Sequence, residues 1–368
     1  MTGRFAGSRW GSRLVAAALG LLALATLAAL AAPFGWPFEL FAHFRLQYLA
    51  AALLLGAMLA WQRRPALAAA ALLLALWHGL PLLERAGATN AVCEGPAFTV
   101  VTANLRYRNR DHARFVEWLR AHPADLVVVQ EVTAEWAETL ASQAAYPYRY
   151  LLSRPDPYGI GVLSRWPLES VTPVDLAGDG LPSLTGIAVI EGRPLRFLGL
   201  HTHWPVLPAL ARARDVSLER TADLVREEEL PVVVMGDLNL TPHAPAFVRL
   251  LEQSGLRDAL AGPRWQPTWQ AAFWPLALRI DHVLVGPGMC VVHAEVGSSI
   301  GSDHRPVVVQ LRVGSPVPDA QAGARRPLTD SRAPTPAPCR HVAAAAATTC
   351  SGSPERAVAI VGIPARAD

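Results

Sequence analysis

Six short apolar runs in the middle of this 368-residue chain stop or start on a carboxylate, a carboxamide or an imidazole. Phe98–Asn104 ends in Asn104, and Leu126–Gln130 runs into Glu131. Leu195–His201 leads into Thr202 and His203, and Val232–Met235 into Gly236-Asp237-Leu238-Asn239. The next run opens with Arg279-Ile280-Asp281-His282, and Ser302-Asp303-His304 precedes Val307–Leu311. Carboxylate and carboxamide oxygens are hard donors that suit Mg²⁺ or Mn²⁺, cations that keep waters and bind phosphate. A His beside an Asp has its tautomer fixed and its imidazolium stabilised, and a cation can stabilise charge growing on phosphate and leaving oxygens. The chemistry these residues would support is phosphoester hydrolysis.

Each piece alone has a plainer reading. Asn104 could be a turn residue, Glu131 could cap a helix, and Asp237-Leu238-Asn239 could be an Asx-turn before Pro242. His201 could be a satisfied core histidine, and Ser302-Asp303-His304 a loop. Their joint occurrence at strand ends, in order, weighs against all of these together, because sheets build active sites at one edge. Other chemistries drop out. The chain has no Lys, so Schiff-base and lysine-nucleophile catalysis are excluded. Four Cys without a CxxC pair do not make a zinc ribbon or a disulfide-dense scaffold. The His spacing is unlike HExxH.

These residues need elements to hold them. The apolar runs, with Ile160–Leu163 among them, are Val-rich and of strand length. Between them, Asp111–Ala121 reads as a helix with Asp111 as N-cap and Phe115, Trp118 and Leu119 on one face. Leu207–Glu229 reads as a long amphipathic helix whose Glu227–Glu229 end is a solvated face. Strands and helices mixed over residues 97–313 predict a sheet-based α/β domain.

The order of these segments resembles the endonuclease/exonuclease/phosphatase (DNase I-like) superfamily, in its membrane-tethered bacterial form. The pieces that carry the resemblance are Thr102-Ala103-Asn104-Leu105, Val129-Gln130-Glu131, Val162-Leu163-Ser164-Arg165, Leu200-His201, Gly236-Asp237-Leu238-Asn239, Arg279-Ile280-Asp281-His282 and Ser302-Asp303-His304. The resemblance implies a four-layer α/β/β/α sandwich. It implies Glu131 as the central ligand of Mg²⁺ (or Mn²⁺), assisted by Asn104 and Asp303. Asp237 would orient or activate the attacking water, with Asn239 binding phosphate beside it. His304, held by Asp281, would contact the scissile phosphate or shuttle a proton. His201 would serve the leaving group, with His203 a neighbouring competitor, and Arg165 would support the site from the loop after its strand. Arg106, Arg108 and Arg110 could face phosphate or form a solvated basic loop.

Composition adds a membrane. Hydrophobic residues are 52% of the chain, charged residues only 17%, and mean hydropathy is +0.24. Residues 1–96 read as an anchor of three transmembrane helices, at about 14–32, 46–61 and 66–83; the competing reading of the first run is a cleaved signal peptide. Arg4, Arg9, Arg13, Arg63 and Arg64 lie on one side and Arg45 and Arg85 on the other, which places the N-terminus in the cytoplasm. Three spans then put the domain outside, periplasmic or extracellular, where Cys93 and Cys290 could pair. Residues 314–368, rich in Pro and Ala, read as a disordered tail.

Residues 98–312 hold 20 Arg against 23 acidic residues, a net −3, so the chain's overall +3 comes from its two ends. That balance lacks the broad basic footprint of a tight nucleic-acid binder. The sequence therefore predicts a metal-dependent phosphodiesterase, with an endonuclease as one form. A lipid or inositol-phosphate hydrolase and a non-catalytic envelope binding or sensing module are the alternatives. The partners are the lipid bilayer and a phosphoester substrate, either nucleic acid or a phospholipid or inositol phosphate.

Overall fold

A computed structural model describes residues 9–84, 93, 95–262, 264–314 and 359–361. The tail reading therefore falls mostly outside the described residues, as do Arg4 and Arg85. Four helices open the chain: α1 (Arg9–Leu30), the single-turn α2 (Glu39–Ala42), α3 (Arg45–Trp61) and α4 (Pro65–Glu84). The domain that follows runs β1 (Phe98–Asn104), α5 (His112–Ala121), β2 (Leu126–Gln130), α6 (Ala134–Ala141), β3 (Tyr148–Leu152), β4 (Ile160–Ser164), β5 (Leu168–Asp175), β6 (Pro182–Ile190), β7 (Arg193–His201), α7 (Pro208–Glu227), β8 (Val232–Asp237), α8 (Pro245–Ser254), β9 (Arg257–Asp258), β10 (Asp281–Val285), β11 (Met289–Val296) and β12 (Val307–Val313). One short piece of the expected tail, β13 (Ala359–Val361), pairs antiparallel with β3.

The strands form two mixed sheets, ordered β11-β12-β1-β2-β4-β3-β13 and β5-β6-β7-β8-β10-β9. Three apolar cores separate four layers. Val100, Val128, Phe197, Val233 and Val309 fill the space between the sheets. Val101, Val127 and Leu163 meet Phe115 of α5 and Trp136 of α6 on the outer face of the first sheet. Leu198, Val234 and Leu284 meet Leu218 of α7 and Phe247 of α8 on the outer face of the second. The central strands are buried on both faces, which is why they read as unbroken Val runs rather than alternating ones. The caps are local and conventional. The Asp111 carboxylate accepts from the Arg114 amide at the start of α5, and the Thr133 hydroxyl accepts from the Trp136 amide at the start of α6.

Within the N-terminal helices, Val15, Leu19, Leu59 and Ala71 pack together, and Gly56 lets α3 approach Ala71 closely. Two stretches are long and apolar enough to cross a membrane: Gly11–Leu30 (20 residues, mean hydropathy 2.1) and Pro65–Leu82 (18 residues, 1.6). The third expected span is the apolar helix α3, whose 17 residues reach about 26 Å at 1.5 Å per residue. That is somewhat short of a hydrocarbon core of about 30 Å.

The connection between α1 and α3 docks on the domain. Arg214 of α7, with no exposed side-chain surface, donates from Nη2 to Glu39 Oε2 at 2.7 Å. His43 Nδ1 lies 3.0 Å from the Thr241 hydroxyl, and Gln47 Nε2 donates to the Ala277 carbonyl at 3.0 Å. A disulfide joins Cys93 to Cys290 of β11, with Cα atoms 5.9 Å apart and a sequence separation of 197.

Candidate active site

Strand register assembles the first half of the site. β7 and β8 run parallel with His201 opposite Asp237, and β8 and β10 run antiparallel with Asp237 opposite Asp281. Side chains directly opposite each other share a face, so His201, Asp237 and Asp281 form one row across three strands. Gly236, within β8, lets the strand lie close against β7 just before this row: its φ is +152°, and a Cβ there would lie 1.8 Å from the Leu200 carbonyl oxygen. The facing sheet supplies Asn104 at the end of β1 and Glu131 just past β2, the latter at φ 61°.

Asn104 ties the two sheets together. Its amide donates to Glu131 Oε1 at 2.9 Å and to Asp237 Oδ2 at 3.1 Å. Its own oxygen accepts from the Arg106 amide, while Glu131 Oε2 accepts from the Tyr107 amide at 2.8 Å. Burial pushes the Glu131 carboxyl above its ordinary range; the Tyr107 and Asn104 donors and the His304 charge pull the other way.

His304 enters from the loop before β12. Its Nδ1 sits 2.8 Å from Asp281 Oδ2, and its Nε2 sits 3.8 Å from Asp237 Oδ2. Burial alone would lower its pKa, but the carboxylates of Asp281 and Asp237 outweigh it and raise the imidazole to about 10. His304 is an imidazolium across the ordinary pH range. Asp237 moves up as well, through burial and the adjacent Asp281 charge, while the His304 charge and then the Asn239 and Asn104 donors oppose the rise. His201 moves the other way. Burial and then the His304 charge lower it to about 3, so it is neutral, with its Nε2 3.8 Å from Asp237 Oδ2. Asn239, at φ 49°, donates from its amide N to Asp237 Oδ1 and from its side chain to the Thr202 carbonyl.

Asp237, Asp281 and His304 each bring one potential ligand atom to within 4.8 Å of one another. This group differs from the set Asn104, Glu131 and Asp303 expected to hold a cation. Asn104 and Glu131 do come together, whereas Asp303 faces Arg106, whose Nε is 3.7 Å from Asp303 Oδ1. The two groups differ in what already balances them. The buried pair of Asp237 and Asp281 has the His304 imidazolium between them. Glu131 is half-buried, its ion-pair partners among the described residues are none, and its oxygens touch only neutral donors. A carboxylate in that position fits a hard, partly hydrated divalent cation better than the buried group does.

Three residues at the site were not legible as functional. The Thr268 hydroxyl accepts from the Ile280 and Asp281 amides and so fixes the start of β10. Asp179 holds His203 at 2.7 Å, and the Tyr158 hydroxyl lies 3.3 Å from the same ring. These contacts occupy His203 away from Asp237 and leave His201 as the histidine in the row. Tyr158 and Asp179 come from loops whose only signal was polarity at a turn. Arg165 is a correction. β4 runs antiparallel to β2, with Ser164 opposite Leu126, so Arg165 lies at the sheet edge away from Glu131 and donates from its amide to the Asp125 carbonyl. The basic run after Asn104 divides: Arg106 reaches Asp303, Arg108 lies over the Tyr107 ring, and Arg110 pairs with exposed Glu135.

Residues 101–304 match the Endonuclease/Exonuclease/phosphatase family. The chain belongs to that family. A comparison with curated proteins gives no match. Among solved structures, the endonuclease/exonuclease/phosphatase domain is similar to Danio rerio TDP2 complexed with a single-strand DNA product (16% identity, 59% of this chain and 100% of that one, TM-score 0.51). It is similar also to a humanized Danio rerio TDP2 (18%, 59% and 99%, TM-score 0.50) and to an endonuclease/exonuclease/phosphatase from Beutenbergia cavernae (24%, 60% and 72%, TM-score 0.49). At these identities the likeness to TDP2 concerns the fold. The family places the row His201–Asp237–Asp281, with Asn104, Glu131 and His304, in a phosphoesterase fold.

Proposed function

We propose that the chain is a divalent-metal-dependent phosphodiesterase, tethered to the cell's inner or plasma membrane with its catalytic domain outside the cytoplasm. The observation that carries the reading is the contact of three groups at one sheet edge: the Asp281–His304 pair, Asp237 facing it, and the Asn104–Glu131 pair bonded to Asp237.

Glu131 and Asn104 would hold Mg²⁺ or Mn²⁺, with Asp303 available nearby. When bound, the cation would neutralise phosphate oxygens and the leaving oxygen. The remaining steps belong to the chain's own side chains. Asp237, its basicity raised by burial, orients a water through Oδ2 and takes its proton. His304, charged and aimed by Asp281, donates from Nε2 to a phosphoryl oxygen that gains charge in the transition state. Asn239 is fixed by its bonds to Asp237 and Thr202, and it lines the phosphate position. Neutral His201 stands beside Asp237 for the leaving group.

The tether reading draws on several supports. α1 and α4 pass the length and hydropathy criteria, and α3, though short, runs between them. The segment between α1 and α3 touches the domain, so both lie on one side, as three crossings require. Arg13, Arg63 and Arg64 lie on the other side. The Cys93–Cys290 disulfide fits an oxidising compartment.

The test is hydrolysis of bis(p-nitrophenyl) phosphate by the purified full chain with Mg²⁺ or Mn²⁺. Glu131→Ala and His304→Ala are each expected to abolish turnover, and chelation to suspend it. Full activity in either variant overturns the assignment, and inactivity of the wild type toward every phosphodiester supplied favours a binding module.

A further inference from the structure

The large apolar side chains that the domain leaves exposed are not scattered. Among the described residues, seven of nine lie in two loops, Trp204, Val206 and Leu207 in one and Trp265, Phe273, Trp274 and Leu276 in the other. Both loops leave the catalytic edge. The first follows His201-Thr202-His203 directly. The second is pinned to the site at its base, where Trp269 bridges to Leu278 and to His304, and the Gln270 amide donates to the Asp303 carbonyl. Trp265 and Trp274 meet edge to face at its tip, 6.3 Å between ring centres. Exposed clustered aromatics on an otherwise well-packed domain mark an interaction surface.

What covers this surface follows from where the N-terminal helices attach. The segment between α1 and α3 could have docked anywhere on the domain. It lands on the catalytic edge: Glu39 on Arg214 in the second turn of α7, His43 on Thr241 two residues after Asn239, and Gln47 on the Trp274 and Ala277 carbonyls. Gln47 lies in the first turn of α3, so the aromatic loop touches the membrane helices at the end where they emerge. Trp and other aromatic rings prefer that headgroup level. The domain's net −3 also argues against a polyanion arriving from solution.

We propose that the catalytic edge faces the bilayer, with loop 264–278 seated in the headgroup layer, and that the site takes the phosphodiester of a membrane-lipid headgroup. The proposal rests on the phosphodiesterase and membrane-tether readings and goes beyond them by naming the surface and the substrate class. The hydrolysis splits one phosphorus–oxygen ester bond; water's hydroxyl goes to phosphorus and its proton to the leaving alcohol.

The experiment places the full chain in vesicles of phosphatidylcholine and phosphatidylglycerol and compares it with the Trp265→Ser/Trp274→Ser variant. The wild type is expected to release either diacylglycerol together with phosphorylated headgroup or phosphatidate together with the free headgroup alcohol, according to which ester bond splits; both support the proposal. The variant is expected to lose at least about tenfold of that turnover, the factor that 1.4 kcal/mol of attachment represents, with soluble-diester hydrolysis in detergent unchanged. Brominated phosphatidylcholine provides a readout independent of activity: Trp36, Trp61 and Trp77 of the anchor are quenched in both proteins, and the wild-type signal in excess of a Trp265→Phe/Trp274→Phe variant should be quenched as well. Unquenched Trp265 and Trp274 overturn the orientation. Soluble-diester turnover without any lipid turnover overturns the substrate class while leaving the phosphodiesterase reading in place. Quenching without any hydrolysis overturns the substrate claim together with that reading.

Discussion

Reducing the Cys93–Cys290 disulfide is expected to cost the domain a large part of its stability. The bridge joins the segment before β1 to β11 at the edge of the first sheet, and so closes nearly the whole domain into one loop. With a sequence separation of 197, the chain-entropy relation assigns that loop about 5 kcal/mol at 25 °C. For a domain of this size each kcal/mol moves the melting temperature by about 2–4 °C, so reduction should lower it by roughly 10–20 °C. The assay is a thermal melt of the purified chain with and without dithiothreitol, read by near-ultraviolet circular dichroism. The Cys93→Ser/Cys290→Ser variant is the control, expected to melt at the reduced temperature and to ignore the reductant. A shift of the wild type below about 3 °C, or an equal shift of the variant, would refute the reasoning.

Other outcomes follow from the same geometry. His43 is buried against Thr241 and near the Arg214 charge, and burial first, then that charge, lower it to about 4. A histidine whose folded pKa is depressed contributes stability that is present above about 6.5 and is lost as pH falls toward 4. Acid titration of the full chain should therefore weaken the docked segment over that window, by about 3 kcal/mol at most, and His43→Gln should flatten the slope. Gly236→Ala should prevent folding, since its Cβ would lie 1.8 Å from a backbone oxygen; soluble, monomeric variant with wild-type melting would contradict this. Trp136→Ala should cost about 3–5 kcal/mol by denaturant melt, because the indole is fully buried, stacked on His112 and edge-on to Phe115.

How much of this could be read from residues alone depended on burial. β1 and β2 begin and end where their Val runs suggested, because strands covered on both faces carry a continuous apolar signal with polar ends. β5 was invisible: it is a sheet edge, mostly exposed, and its residues alternate too weakly to separate it from a loop. β6, beside it, is a continuous strand whose apolar pattern is interrupted by Thr185 and Gly186. α6 and α8 also went unread; α8 is as long as α5 but starts after Ala244, with no side-chain cap like Asp111 to mark its beginning. For the site, the residue types at strand ends were legible, but their partners were not. The row His201–Asp237–Asp281 depends on register between three strands drawn from distant parts of the chain. Arg165 was placed at the wrong edge for the same reason, since a strand's direction within a sheet is a tertiary property.

That row has a bearing on quality control. A strand that slips by one residue turns all of its side chains to the opposite face. A slip of β8 would carry Asp237 out from between His201 and Asp281 and away from Asn104 at a single stroke. Partly assembled versions of this hydrolase would then be inert rather than indiscriminate. On the proposed reading, a cell that exports such a chain beside its own phospholipids would be protected from the misfolded fraction by the same pairing that would make the native fraction active.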